Sequence, residues 1–497
     1  MVELLDVVLP IISLIVFALL TLPVFRVIRK NKRKTALTLA WFFTVFAVTG
    51  AAVANLTLKY YSLPSPQPFL NITVTGESFA ALSSAFMIDA VSVYMAIIFT
   101  VVSAVVFLYS VFYVDSSQRP SERYYAVMLM LTAALIGAVF SGDLLTMFIF
   151  WEAAAAGSGF LMVYKKAPVS LNSTLKYLVM IIIASAFVVF GLSIVYGLTG
   201  TLNFWAVKQA LMTMADKHLL LLAFIFIVAG YAIESAIVPF HFWLPDAYTA
   251  APASSSAFLS ALIDQGSYYV LIRVLVFILT PAGVLDWTLM LAVMAALTMV
   301  VGNLFALIQD DVKRLIGNIC VADVGYNLVA ITSVTADGLR GNLFFFLVGG
   351  ITTAMAFMTL GIINRYGFKT LEDFSGLGRK MPLASFALLI AALSFAGVPS
   401  TGGFMAKYLV VNAVINSNFS WLAVILVLMS VLQTAYLFRL VNYMYGKKPK
   451  DETKIKEPLK LLIPVFILVA AIIIVGVYPS IALDPIEHAI QQFPLIP

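Results

Sequence analysis

Five ionisable side chains stand where almost everything around them is apolar: Glu152, Glu234, Asp264, Asp323 and Lys407. Two of them flank the densest stretch of the chain, GYAIESAIVPFHFWLPDAYTAAPASSSAFLSALIDQGSYYVLIR, which runs from Gly230 to Arg273. Glu234 opens that stretch, Asp264 closes it, and Pro239, Pro245 and Pro252 interrupt it between them. His241 sits directly beside the first interruption. Carboxylates and an ammonium in apolar surroundings do not suit bond-making chemistry. They suit the carriage of protons or of a hard cation, and an ionisable residue at membrane depth marks such a path by default. Glu152 lies eight residues into an apolar run, too deep to reach water by snorkelling. An uncompensated charge there costs at least about 2.5–3.5 kcal/mol, so it is neutral, paired or hydrated. Two acids in one low-dielectric site disfavour double ionisation, so a site holding both Glu152 and Glu234 keeps a proton.

The surroundings are a membrane. The chain is 62% hydrophobic and 11% charged, against roughly 45–50% and about 25% in soluble domains, and its mean hydropathy is +1.03. A net charge of +6 does not point to nucleic acid, because the cations gather in loops between apolar runs, where they set topology. The single cysteine, Cys320, excludes disulfides within the chain and an iron–sulfur cluster held by it alone. His218, His241 and His488 are too scattered for a haem or zinc site, and no nucleotide-binding loop occurs. We expect no resident cofactor or metal and no bond chemistry in this chain.

A spanning helix needs about 20 apolar residues. Such runs predict helices near 4–25, 36–58, 88–113, 124–141, 144–164, 174–198, 219–238, 255–279, 287–308, 315–335, 341–363, 384–415, 421–445 and 459–478. The first has acids before it and a basic cluster after it, the reverse of a cleavable signal. Odd-numbered connections carry 23 Lys and Arg residues and even-numbered ones only Lys59, Lys208, Lys217 and Arg340. Positive loops stay cytoplasmic, so both termini are expected outside. A stretch near 69–85 is too polar to span, Pro64, Pro66 and Pro68 mark an outer loop, and GKKPKDETKIKEP at 446–458 reads as a cytoplasmic loop or docking surface. The seventh helix is interrupted at Val238-Pro239-Phe240, and the twelfth, five helices later, at Gly397-Val398-Pro399-Ser400-Thr401-Gly402-Gly403. Broken helices at matching places in two halves point to an inverted-repeat transporter. The expected fold is all-α, about fourteen transmembrane helices with two inverted five-helix repeats. Its parts are 1–115 (helices 1–3), 116–280 (the first half, helices 4–8), 281–445 (the second half, helices 9–13) and 446–497 (loop, helix 14 and tail).

Pro239-Phe240-His241-Phe242-Trp243-Leu244-Pro245-Asp246-Ala247, followed by Ala251-Pro252, resembles the signature of antiporter-like subunits. These occur in proton-pumping NADH dehydrogenase (complex I) and in multisubunit Mrp cation/proton antiporters, and also in related membrane-bound hydrogenase or sulfur reductase complexes. Asp311-Val312-Lys313-Arg314-Leu315, Gly325-Tyr326, and Gly376 to Pro382 leading into Ala396-Gly397-Val398-Pro399 agree. The resemblance covers roughly residues 85–445, and in length the chain is similar to the D-type Mrp subunit and its complex I equivalents. It implies a polar axis at mid-membrane along which protons move, driven by redox chemistry or cation exchange elsewhere in the complex. The family's fifth-helix glutamate matches Glu152 and its twelfth-helix lysine matches Lys407. Its seventh-helix lysine falls on Glu234, a reversal of charge, and its eighth-helix lysine falls on Gln265, beside Asp264. The tenth-helix histidine falls on Asp323, and the eleventh-helix His and Lys fall on Gly349 and Thr353. The ends of the relay are kept and its middle is rewritten.

The resemblance therefore implies an antiporter-like subunit moving H⁺ or Na⁺ through Glu152, Glu234, His241, Asp264, Gln265, Asp323 and Lys407. Its partners would be other membrane subunits, including other antiporter-like ones, in a prokaryotic-type cell membrane. The alternative is a non-conducting structural subunit with a degenerate path. A stand-alone carrier of a small solute fits the broken helices but not the family. Each site also has a plain reading: a structural hydrogen bond for Glu152 or His241, and a helix cap for Asp264 or Asp323. Lys407 needs a counter-charge, for which Asp323 is the acid the resemblance supplies. Arg273 and Arg439, toward helix ends, are expected to snorkel.

Overall fold

The computed structural model describes residues 2–62, 70–73, 85–114, 121–164, 168–214, 218–279, 287–449 and 454–492. In the described residues twelve helical spans are long and apolar enough to cross a membrane. They begin with α1 (Leu4–Ile28), α2 (Lys34–Tyr61), α3 (Ala90–Tyr113), α4 (Ser121–Phe140), α5 (Leu144–Met162) and α6 (Pro168–Thr199). A short helix, α7 (Phe204–Thr213), precedes the broken seventh span, α8 (His218–Glu234) and α9 (Trp243–Ala250). The eighth span, Ala253–Ile278, runs through α10 (Ala253–Phe258), a π-helical turn at Leu259–Ile263, α11 (Asp264–Ile272) and a second π-helical stretch from Arg273. Then come α12 (Trp287–Leu307), α13 (Val312–Thr332) and α14 (Ala336–Asn364). After the small α15 (Leu377–Lys380), the broken twelfth span is α16 (Pro382–Ala396) and α17 (Gly402–Ile415). The chain ends in α18 (Ser420–Val441), α19 (Leu459–Val477) and α20 (Ser480–Gln492). Twelve unbroken and two broken spans make the fourteen that hydropathy predicts.

The eighth and tenth spans are buried throughout and the eleventh nearly so, whereas α2, α6 and α18 leave apolar faces such as Phe43, Ile182 and Val431 exposed. The innermost layer is thus made of α10 to α11, α13 and α14, and the rewritten positions Asp264, Gln265, Asp323, Gly349 and Thr353 all lie on it.

Both breaks close with the same device. At the end of α8 the Ala236 amide donates to the Ile233 carbonyl (3.2 Å) and the Ile237 amide to the Ala232 carbonyl (2.9 Å). At the end of α16 the Gly397 amide donates to Ser394 (3.0 Å) and the Val398 amide to Leu393 (3.0 Å). Each pair is a Schellman motif, which needs a left-handed residue at its turn. Gly397 (φ 75°) takes that conformation freely, whereas Ala236 (φ 52°) takes it with a β-carbon in place. A proline follows within three residues in both cases, which prevents the helix from resuming.

Several expectations change. The seventh span does not end near 238, because beyond the break it continues to Ala250 through a 3₁₀ turn at Phe240–Phe242 and α9. Prolines concealed that continuation: Pro245 sits near the start of α9, where a missing amide costs nothing. In the polar stretch near 69–85, β1 (Leu70–Thr73) pairs antiparallel with β2 (Ala85–Ile88), Leu70 facing Ile88; Pro64, Pro66, Pro68 and residues 74–84 lie outside the described residues. The described part of the basic 446–458 loop packs on its own chain. Ile455 donates to the Lys380 carbonyl (3.1 Å), and Glu457 accepts from the Leu383 and Ala384 amides (3.0 and 2.7 Å), capping α16.

Arg273 does not snorkel. It is 1% exposed and ion-paired to Asp89 at 2.5 Å, and its Nε donates to Tyr269 Oη at 2.8 Å. Asp89 also accepts from the Ser92 amide as the N-cap of α3. Hydropathy counting reads an arginine near a helix end as reaching water; here an acid from another helix reaches the arginine. Arg439 does lie at the edge, against the Leu307 and Gln309 carbonyls and Asp310.

Removing one member of a buried ion pair strands the other, at about 3–5 kcal/mol, whereas an apolar replacement of both is far milder. Asp89→Leu or Arg273→Met is therefore expected to lower the thermal unfolding temperature of the detergent-solubilised protein strongly, and the double substitution to recover most of it.

Candidate functional site

The charged side chains sit on five spans, Glu234 and Lys407 beside the two breaks. In the first half, Glu234 occupies the last position of α8 and is 4% exposed. Its Oε2 accepts a hydrogen bond from Trp151 Nε1, one residue before Glu152. Glu152 is only half-buried, on the edge of α5 between the exposed Ile149 and Ala153, with Ser185 of α6 beside its carboxyl group. The two glutamates are within electrostatic reach of each other, and Tyr177 is within reach of Glu152, Glu234 and Asp264. Tyr177 is itself fixed, by the Ala155 carbonyl at 2.6 Å and Ser158 Oγ at 2.8 Å.

The broken backbone is satisfied from within the protein, as a bilayer requires. Trp243 Nε1 donates to the Ile233 carbonyl (3.0 Å), and the Val238 amide donates to Thr298 Oγ1 of α12 (3.1 Å). His241 is 3% exposed, its ring against those of Phe242 and Phe305 and beside the Pro239 backbone. On the far end of α9, Lys313 donates to the Thr249 and Ala251 carbonyls, and Asp246 is bridged by Lys176 and Arg314, both at 2.9 Å. Those contacts fasten α9 to α6 and to the first turn of α13.

Asp264 follows the π-helical turn of the eighth span and takes a hydrogen bond from Tyr248 of α9. It caps no helix. A π-turn inserts one extra residue and rotates the helix beyond it, a feature that recurs at functional positions. Gln265, beside it, packs at the Gly349-Gly350 pair of α14, where a β-carbon on Gly349 would come within 3.8 Å of Gln265 Nε2. Its Oε1 is buried without a partner. Asp264 and Asp323 are within electrostatic reach of each other across the junction of the halves.

In the second half, Asp323 and Lys407 line one small cavity of about 20 Å³ with Gly349, Thr352, Ser394 and Phe395, room enough for a water molecule. The expected counter-charge is not in contact: among the described residues no carboxylate reaches ion-pair distance of Lys407. Its Nζ instead donates to the Phe395 carbonyl and to Gln433 Oε1, both at 2.7 Å, and lies 4.7 Å from the Tyr326 ring centre. The carbonyl belongs to the broken end of α16, where a helix terminus favours a cation. Tyr326 in turn donates to Gln433 (3.3 Å), and Asn303 and Tyr436 extend the network at 3.0 Å. Lys407, though buried, also lines a crevice of about 340 Å³ between α17 and α18 whose walls are mostly apolar, Phe404, Val411, Leu426 and Val431 among them, with Ser430 and Thr434.

A family model described as NADH:quinone oxidoreductase/Mrp antiporter, TM, matches residues 141–433, a stretch holding all five charged residues of this arrangement. The chain belongs to that family. Subunit N of the F420H2 dehydrogenase of Methanosarcina mazei is 30% identical over 441 residues, 86% of this chain and 88% of the relative. NADH-quinone oxidoreductase subunit N of Desulforamulus reducens is 30% identical over 415 residues, 83% and 87% respectively. Among solved structures, a chain of the membrane-bound sulfane sulfur reductase, an archaeal respiratory membrane complex, superposes with a TM-score of 0.86 at 26% identity, covering 98% of this chain and 97% of that one. A chain of the Mrp complex from Dietzia sp. DQ12-45-1b has the same fold, with a TM-score of 0.86 at 22% identity over 99% and 98%. The chain is an antiporter-like membrane subunit of this family.

Trp151, Tyr248, Tyr326 and Gln433 escape sequence reasoning. Tyr326 entered only as part of the Gly325-Tyr326 match, and Gln433 is visible only as an amide inside an apolar span. The aromatic residues look like packing until the acids they bond are known. Trp151→Phe keeps the ring and removes the donor to Glu234. Losing a hydrogen bond to a charged or proton-sharing group costs about 1.5–3 kcal/mol. We expect unchanged assembly on native gels and ion flux slowed roughly tenfold or more in proteoliposomes.

Proposed function

We propose that this chain moves H⁺ or Na⁺ along Glu152, Glu234, Asp264, Gln265, Asp323 and Lys407, with His241 as a branch beside the first break. The energy comes from redox chemistry or cation exchange elsewhere in a multisubunit complex. The observation that carries this reading is that the polar axis runs from one edge of the chain to a crevice at another. Glu152 is half-buried on α5 at the first, and Lys407, itself buried, lines the α17/α18 crevice at the second. A row of buried charges confined to the centre of the chain would suit a scaffold. One that ends near two edges suits a subunit that receives an ion or a charge signal from one neighbour and passes it to another.

Each charged group biases the next because Coulomb interactions are strong in a low-dielectric interior. A proton arriving on the Glu152–Glu234 pair changes the field at Tyr177, which Asp264 also reaches, while Asp264 acts on Asp323 and Asp323 on Lys407. Residues 116–280 and 281–445 act as two half-channels that meet at the Asp264–Asp323 junction. The relatives are named as subunits of larger enzymes, which supports other membrane subunits, antiporter-like ones included, as partners. The basic loops support a cell membrane location with both termini outside.

The test is ion flux of the intact complex in proteoliposomes, with Na⁺ and the proton gradient followed in parallel. Glu234→Gln and Glu152→Gln are expected to assemble normally and to abolish flux of the transported ion. Normal pumping by both variants would make this chain a scaffold and place translocation in a neighbour.

A further inference from the structure

At the end of α8, three buried oxygens have no protein partner: Tyr231 Oη, Glu234 Oε1 and Ser235 Oγ. The residues are 0%, 4% and 3% exposed. Their spacing of three and four places them on one face of a helix, and Tyr231 is within electrostatic reach of both Glu234 and Glu152. Buried polar atoms nearly always find a partner, so three orphans on one face of one turn ask for a shared ligand. All three are oxygens that can accept or ligate, and the nearby indole donors are spent, Trp151 Nε1 on Glu234 Oε2 and Trp243 Nε1 on the Ile233 carbonyl. The ligand they suit is a cation.

The second half of the molecule shows what such a position holds. Both breaks end in the same Schellman motif, so their carbonyls can be matched one by one. Phe395 stands two residues before the left-handed Gly397, and its carbonyl accepts the Lys407 ammonium at 2.7 Å. Glu234 stands two residues before the left-handed Ala236. The motif there engages the carbonyls of Tyr231, Ala232 and Ile233 and leaves that of Glu234 outside it. A helix C-terminus carries partial negative charge and favours a cation. One half meets that demand with a lysine on a tether. The other presents a carboxylate, a hydroxyl and a phenol, and the sequence offers no lysine or arginine between Lys217 and Arg273.

We propose that the break after α8 is a binding site for a dehydrated hard monovalent cation, Na⁺, held by Glu234 Oε1, Ser235 Oγ, Tyr231 Oη and the freed carbonyls of the turn. Hard cations prefer oxygen ligands, and half-helix C-termini with unwound carbonyls are a recurrent way to hold Na⁺ at mid-membrane. The site rests on the proposed function and deepens it by naming the cargo at Glu234. Na⁺ and H⁺ then exclude each other there, since both occupy the same carboxylate.

Carbodiimide modification of membrane carboxyl groups, mapped by mass spectrometry on the purified intact complex, reads the site without any transport step. Na⁺ as its chloride is expected to protect Glu234, K⁺ at equal ionic strength is not, and the Na⁺ concentration for half-protection is expected to rise as pH falls. Ser235→Ala and Tyr231→Phe, both small changes, are each expected to raise that concentration about tenfold. Equal labelling in Na⁺ and K⁺ at every pH would overturn the site. That result would leave proton movement through Glu234 standing, because flux lost in Glu234→Gln with no Na⁺ protection describes a proton-only path.

Discussion

A bilayer has no water to give a broken helix or a buried charge, and this constraint organises the molecule. Every carbonyl freed at the two breaks, and every charge set beside them, has to find its partner in the protein or along an ion path. The protein answers with one terminator used twice. Each break ends in a Schellman turn followed by a proline, and each is stitched by side chains from neighbouring helices: Trp243 and Thr298 at the first, Lys407 and Gln433 at the second. The second also depends on close approach, since a β-carbon on Gly403 would lie 1.8 Å from the Ser394 carbonyl.

What differs between the halves is the sign of the charge at the break. The second half supplies its own cation in Lys407, anchored on the helix end beside a crevice. The first half has an acid there, oriented by Trp151, with a second acid at the protein's edge. Between them the π-turn before Asp264 and the glycine pair on α14 bring Asp264, Gln265 and Asp323 together without a lysine. In the rewritten middle, aromatic donors and amides position the acids: Trp151 bonds Glu234 and Tyr248 bonds Asp264.

Much of this was legible in the sequence, for reasons that have limits. Twenty apolar residues cross a bilayer whatever their order, so composition alone placed fourteen spans. Val238-Pro239 and Gly397 to Gly403 marked the breaks because proline and glycine act locally. Glu152, Glu234, Asp264, Asp323 and Lys407 stood out because charge in lipid is costly. Partnerships between helices did not stand out. Asp89 and Arg273 are 184 positions apart, and nothing local tells a paired arginine from a snorkelling one. Trp151 reads as ordinary packing until it is seen to donate to Glu234, 83 positions away. The Asp323–Lys407 pair expected from the family's pattern became a shared cavity, because the ammonium is already satisfied by a carbonyl and an amide.

The central claim is that the buried acids change protonation or ion occupancy as the complex works. Infrared difference spectroscopy of the intact complex, recorded as it is driven from rest to turnover, tests it most directly through the carboxyl C=O bands. Bands from this chain are expected to shift on driving and to vanish selectively in Asp264→Asn and Asp323→Asn. Carboxyl bands unchanged by driving, or unaffected by both substitutions, would contradict it.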